Sequence, residues 1–205
     1  MKKIFKISRK SLKYSVLSGL ICAILLSFAH FNAACDDLRE NVLRLHIIAN
    51  SDSDADQSVK MLVRDAVIEK GGDIFKDSDD IVTATKVAEQ NLEFFTDTAN
   101  KVLRENGFNY RAKVSLGQAY FETREYDDFT LPAGYYDSLI ITLGKGEGKN
   151  WWCVIFPEVC LPAASDASLG DTVSDESVKF AEGKTQYIVR FKAVEIYEKI
   201  KKALN

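Results

Sequence analysis

The stretch LRLHIIANSDSDADQSVKMLVRDAV, residues 43–67, decides how the chain folds. Leu43, Leu45, Ile47 and Ala49 recur at period two, which places them on one face of a strand, while Arg44, His46 and Ile48 face the other way. The chain then turns polar at Asn50-Ser51-Asp52-Ser53-Asp54, residue types that favour turns and helix N-caps. Beyond this corner Val59, Leu62, Val63, Ala66 and Val67 return at helical spacing, with Gly71-Gly72 as the expected stop.

Working outward, residues 81–106 predict a second helix, with an N-cap in Asp77-Ser78-Asp79-Asp80 and a stop at Gly107. The period changes at residues 110–117, a strand that resumes at 119–121. Residues 122–130 read as a loop or sheet edge, and Leu131-Pro132-Ala133-Gly134 as a turn. Residues 137–143 and 152–156 are apolar strands, which the glycine-rich GKGEGKNW is expected to join as a hairpin. Residues 163–183 read as a surface loop or poorly ordered excursion and 187–191 as a further strand. The tail is an amphipathic helix with Val194, Tyr197, Ile200 and Leu204 on one face. Early helices, later strands and a closing helix predict a single α+β domain with a mainly antiparallel sheet.

The 205 residues suffice for one domain, and 46% apolar with 28% charged residues describes a globular chain. The formal charge of −3 is unevenly spread. Six of the 27 basic residues precede Tyr14, so the remainder carries 21 basic against 30 acidic residues. An acidic body excludes non-specific nucleic-acid binding as its function. Ahead of it, a basic leader is followed by an apolar run at residues 14–31 and by small residues at Asn32-Ala33-Ala34. That is the layout of a secretory signal, although the run is also long enough to span a bilayer. Residues 1–34 are therefore a signal peptide or an N-terminal membrane anchor, and residues 35–205 an extracytoplasmic domain.

Export bears on the cysteines. Cys22 and Cys35 lie in or beside the leader, leaving Cys153 and Cys160 in the body. An oxidising compartment makes a Cys153–Cys160 disulfide the expectation, with two buried thiols as the alternative. No motif builds a metal or cofactor site. Asp52, Asp54 and Asp56 begin like a calcium loop, but Gln57 stands at the glycine position and Val63 at the bidentate glutamate. Gly144-Lys145-Gly146-Glu147-Gly148-Lys149-Asn150 has the wrong glycine spacing for a phosphate loop, and Asn150 replaces its Ser or Thr. His46 beside Ser51 lacks a third group or a nucleophile elbow. Trp151 and Trp152 face opposite ways on a strand, one toward the core and the other partly exposed.

Four ordered blocks carry a resemblance: RLHIIANSDS at residues 44–53 with Asp56-Gln57 and Val63-Arg64-Asp65-Ala66, then KVSLGQ at 113–118, LPAGYY at 131–136, and GKGEGKNWWC at 144–153. Together they resemble the stage II sporulation protein R family, secreted signalling proteins of endospore-forming bacteria. The resemblance implies a non-enzymatic protein exported from the forespore into the space between forespore and mother cell. There it would activate a membrane-embedded sporulation aspartic protease that processes the mother-cell pro-sigma factor. The resemblance does not identify the receptor contacts; the unusual polarity and exposure of two segments make them Asn50, Ser51 and Asp52 at the corner, and Lys145, Glu147, Lys149 and Trp151 on the glycine-rich loop. The alternative function is an extracellular cell-wall hydrolase using a carboxylate pair.

Overall fold

The strand read from residues 43–48 lies inside the sheet of the computed structural model, which describes residues 9–126, 129–157, 173–182 and 184–204. This strand, β1 (Leu43–Ile48), is preceded by α1 (Arg9–Glu40) and followed by α2 (Asp54–Phe75), α3 (Ile81–Gln90) and α4 (Leu92–Glu105). Next come β2 (Ala112–Phe121), β3 (Arg124–Glu125), β4 (Thr130–Leu131), β5 (Gly134–Leu143) and β6 (Asn150–Phe156), then α5 (Asp175–Glu182) and α6 (Lys184–Leu204). The main sheet has the order β2-β5-β1-β6. Its β2–β5 and β1–β6 pairs are antiparallel and β1–β5 is parallel, so the α+β expectation holds with a mixed sheet.

Both faces of β1 are covered. Leu43, Leu45 and Ile47 are fully buried against α2, α3 and α4, in a core shared with Val63, Val67, Phe95, Leu103, Leu139 and Ile141. A period-two strand with one polar face can be central only if that other face is also roofed. Here the roof is a second cluster containing Leu38 from α1, Phe121, Phe129, Leu131, Tyr136 and Ala181. A third cluster joins Phe31, Ala34 and Cys35 of α1 to Phe180, Phe191 and Val194.

Several expectations are corrected. β5 and β6 do not form a hairpin, because β1 lies between them and their connection crosses its end. Hydrophobic period identifies strands but not their neighbours. α2 runs through Gly71-Gly72 to Phe75, since burying Phe75 against Phe95, with ring centroids 6.2 Å apart, outweighs the modest helical cost of glycine. The expected helix at 81–106 is two helices meeting at Asn91, whose φ of −108° and ψ of 15° leave the helical region. Its caps are as read: the Asp80 side chain accepts from Thr83 N at 2.7 Å, and Gly107 at φ +80° reverses the chain after α4. β2 is one unbroken strand rather than two.

At the C-terminal end, residues 187–191 belong to α6 and not to a strand. Five residues of alternation are ambiguous, and the helical period prevails through Phe191, Val194 and Glu198, all turned toward the body. The expected surface loop at 163–183 is helical at residues 175–182, and residues 163–172 lie outside the described residues. The tail's apolar face divides: Val194 is buried, whereas Tyr197, Ile200 and Leu204 are exposed.

Beneath the roof is a feature that period alone did not single out. Arg44 is fully buried, with Phe121, Tyr136 and Tyr126 ring centroids 4.0, 5.0 and 5.9 Å from its guanidinium carbon. It donates to the Tyr126 hydroxyl at 2.6 Å and to the Cys153 carbonyl at 3.4 Å, while Nη1 has no hydrogen-bond partner among the described residues. No carboxylate pairs with it among the described residues. Aromatic faces return part of the desolvation cost of a buried cation, and a hydrocarbon of similar length carries no such cost. Arg44→Met is therefore expected to shift stability by no more than about 1 kcal/mol, or to raise it, in urea unfolding. A loss of about 3 kcal/mol would show that the aromatic contacts outweigh desolvation.

Candidate functional site

The corner after β1 is held by a buried carboxylate. Ser53 caps α2, its side chain accepting from Asp56 N at 3.2 Å. The first helical turn then presents Asp56 inward, only 6% exposed. Its Oδ2 accepts from Asn50 Nδ2 at 2.9 Å and from the Ser51 hydroxyl at 2.5 Å, and its Oδ1 from the Tyr110 hydroxyl at 2.5 Å. Burial works to raise the Asp56 pKa, but hydrogen bonds from Ser51, Tyr110, Asn50 and Ser53 prevail and hold it below its ordinary 3.8. The helix N-terminus adds a favourable field for the ionised form.

With its amide nitrogen committed to Asp56, Asn50 turns its Oδ1 toward the glycine-rich loop and accepts from Lys145 N at 3.0 Å. Asp52 Oδ1 accepts from Lys149 N at 2.7 Å. Main-chain bonds complete the clasp: Glu147 N donates to the Asn50 carbonyl at 3.2 Å and Gly148 N to the Ala49 carbonyl at 2.9 Å. Lys60, almost buried, donates to the Lys149 carbonyl at 3.0 Å and to Gln57 Oε1 at 2.6 Å, and burial lowers its pKa below 10.5. The approach is so close that a Cβ at Gly148 would lie 2.2 Å from the Ser51 carbonyl oxygen. At Gly144, with φ +56°, a Cβ would lie 2.2 Å from Asn50 Oδ1.

The structure thus brings the two expected contact segments together, although Asn50 and Lys145 are 95 positions apart in the chain and Asp52 and Lys149 are 97 apart. Asn50 and Asp52 spend their side chains on internal bonds, whereas Lys145, Glu147 and Lys149 have rigidly held backbones and exposed side chains. Trp151 is half-buried, packed on the main core with the Arg64 guanidinium 4.6 Å above its ring. Trp152 lies on the opposite face beside Arg124 and His46. The His46 ring packs against Phe121 and Trp152, and burial lowers its pKa below 6.5, whereas the Ser51 hydroxyl is spent on Asp56. Among the described residues no group of three or more His, Cys, Asp or Glu could hold a metal ion. Of the expected cysteine pair, Cys153 is buried in β6 and Cys160 lies outside the described residues.

The sequence set Asp56 only in an incomplete calcium-loop pattern and did not disclose its role as the hub. Tyr110 was missed as its donor, and Lys60 as a further tie to the loop. An acid followed by an apolar helix announces a cap, but nothing in the chain marks a tyrosine 54 positions away as its donor. The LPAGYY block also acquires a local cause. Arg39 Nε donates to the Ala133 carbonyl at 3.0 Å, and a Cβ at Gly134 would lie 2.3 Å from that same nitrogen. The Tyr136 hydroxyl closes the turn on the Pro132 carbonyl at 2.6 Å.

Asp56→Asn replaces an acceptor by a donor facing donors, with an expected loss of about 2–3 kcal/mol at neutral pH. Because the folded pKa lies below the unfolded one, the carboxylate's contribution is complete above about pH 4 and is lost as pH falls through the folded pKa. Urea unfolding of both proteins should therefore show a gap at pH 7 that narrows at pH 3. A constant gap would mean that charge on Asp56 plays no part.

Comparison with known proteins follows the same blocks. The family model for stage II sporulation protein R matches residues 39–166, which include β1, the corner, the LPAGYY turn and the loop. Stage II sporulation protein R of Bacillus subtilis strain 168 is 36% identical over 166 residues, covering 81% of this chain and 73% of that protein. No solved structure matches the chain. Extended over most of both chains, this likeness shows that the chain belongs to the stage II sporulation protein R family of sporulation proteins.

Proposed function

We propose that the chain is an exported signal of endospore formation, released by the forespore, that activates a membrane-embedded aspartic protease and so triggers processing of the mother-cell pro-sigma factor. Family membership supports a sporulation signal, and the clasped corner is the observation that carries the docking reading. Lys145, Glu147 and Lys149 form an exposed charged edge whose backbone is fixed by Asn50, Asp52 and Lys60. An edge ordered before binding loses little conformational freedom when it docks.

Position supports the same reading. β1 leads from the end of α1 to the corner, so the two lie at opposite ends of the strand, about 20 Å apart. The charged edge is thereby clear of the point where α1 joins the body. Activation by such a contact requires tighter binding to the receptor's active arrangement than to its resting one. Catalysis by the chain itself is not needed.

The test joins the full chain with the candidate protease and its sigma precursor in one host. Export of the wild-type chain should give precursor cleavage. Reversing the edge with Lys145→Glu, Glu147→Lys and Lys149→Glu should lower cleavage at least about tenfold, as expected when charged interface contacts worth about 1.4 kcal/mol or more are lost. Circular dichroism and urea unfolding should remain unchanged, because all three side chains are exposed. Full activation by the folded triple variant would remove the corner from the receptor interface.

A further inference from the structure

α1 does not end where its apolar segment ends. Residues 9–27 are exposed all round, and the helix has one window of mean hydropathy 1.8 that is long enough to cross a bilayer. It then continues without a break into Phe31, Cys35 and Leu38, each at most 1% exposed. The small residues Asn32-Ala33-Ala34, where a signal peptidase would cut, lie within this continuous helix. Cleavage there would remove Phe31, whose ring meets Phe180 at 5.3 Å and Phe191 at 5.1 Å, both edge-on. The third core cluster would lose its central aromatic side chain and expose the apolar surface it covers.

α6 crosses α1 at the same level, and two contacts fix its orientation. Glu198 is buried and faces the body, its Oε1 3.8 Å from Arg39 Nη2. Tyr197 faces the other way, its ring centroid 6.2 Å from that of Phe28, in the last turn of the apolar segment. The bare side of α6 is thus turned toward the exposed stretch of α1. That side carries Ile196, Tyr197, Ile200 and Leu204, which are 59, 45, 55 and 80% exposed. Lys199 and Lys201 border it, Lys199 paired with Glu195 at 2.7 Å, whereas Lys202 turns to the body with its Nζ 4.4 Å from the Tyr120 ring centroid. An apolar helical face bordered by lysines and set beside a spanning segment has the chemistry of a helix lying in a lipid interface.

We infer that α1 remains on the exported chain as a membrane anchor and that the Ile196–Tyr197–Ile200–Leu204 face of α6 lies in the outer interface of the same bilayer. This rests on the export reading above. Lys199 and Lys201 lie at the level of the lipid phosphates, and the apolar surface of α1 passes into that of α6. The chain acts as a tethered signal, with its charged edge held at the far end of β1.

Two measurements on the full chain test this. In producing cells, intact mass of the protein recovered from carbonate-washed membranes should include the apolar segment, and protease added to spheroplasts should degrade the body. In vesicles of phosphatidylcholine and phosphatidylglycerol containing brominated lipid, a fluorophore on Ile200→Cys in a Cys22→Ser background should be quenched. The quenching should be roughly twofold or more above that of the same label on Glu89→Cys, on the exposed side of α3. A protease-accessible chain beginning after Ala34 would overturn the anchor while leaving export intact. A full-length chain shielded from the protease would overturn export and the outer placement with it. Equal quenching at positions 200 and 89 would overturn the seating of α6.

Discussion

The Asp56 carboxylate is the interaction on which the architecture of the corner depends. It receives one amide and two hydroxyl groups from three separate places: the end of β1, the corner itself, and the segment entering β2. Ionised, it can accept all three, as a neutral amide could not. By fixing which way Asn50 faces, it directs the Asn50 oxygen to the loop amide of Lys145 and so extends its hold to residues 144–149. One carboxylate at a helix N-terminus thereby closes the connection that carries the chain across the end of the central strand.

That closure has a consequence for how the sheet is built. β5 and β6 are neighbours in sequence but not in space, and β1 is inserted between them, parallel to one and antiparallel to the other. The insertion leaves the end of β1 beneath the crossing loop, where its last carbonyls would lack strand partners. Gly148 N and Glu147 N satisfy the Ala49 and Asn50 carbonyls, and the glycines permit the main chains to approach. Glycine-rich composition here serves a close crossing, not a flexible tip.

The sequence made the strand–corner–helix unit legible because each part has its own local signature: period two, a polar cluster, then period 3.6. The opposite orientations of Arg44 and Leu45, and of Trp151 and Trp152, followed from the same alternation. Pairing did not follow, since a hairpin and a crossing present identical hydrophobic patterns. Asn50, Ser51 and Asp52 were legible as a corner, and the GKGEGKN loop as a connection, yet their union depends on contacts spanning more than ninety residues. Arg44 shows the opposite limit. A buried arginine with no carboxylate partner among the described residues departs from the usual preference for paired charges, and the three rings around it, with bonds to the Tyr126 hydroxyl and the Cys153 carbonyl, explain its place. At the tail, a five-residue alternation misled because helix and strand share it over so short a span.

On the proposed reading Asp56 orders the charged edge that meets the receptor, and hydrogen exchange of the loop amides tests this most directly. In the wild-type chain the amides of Lys145, Glu147, Gly148 and Lys149 should be protected. In Asp56→Asn they should exchange much faster while those of β1 and β5 stay slow, with precursor cleavage falling in the same preparation. Unchanged protection of these four amides, or full cleavage activity with the loop unprotected, would contradict the account.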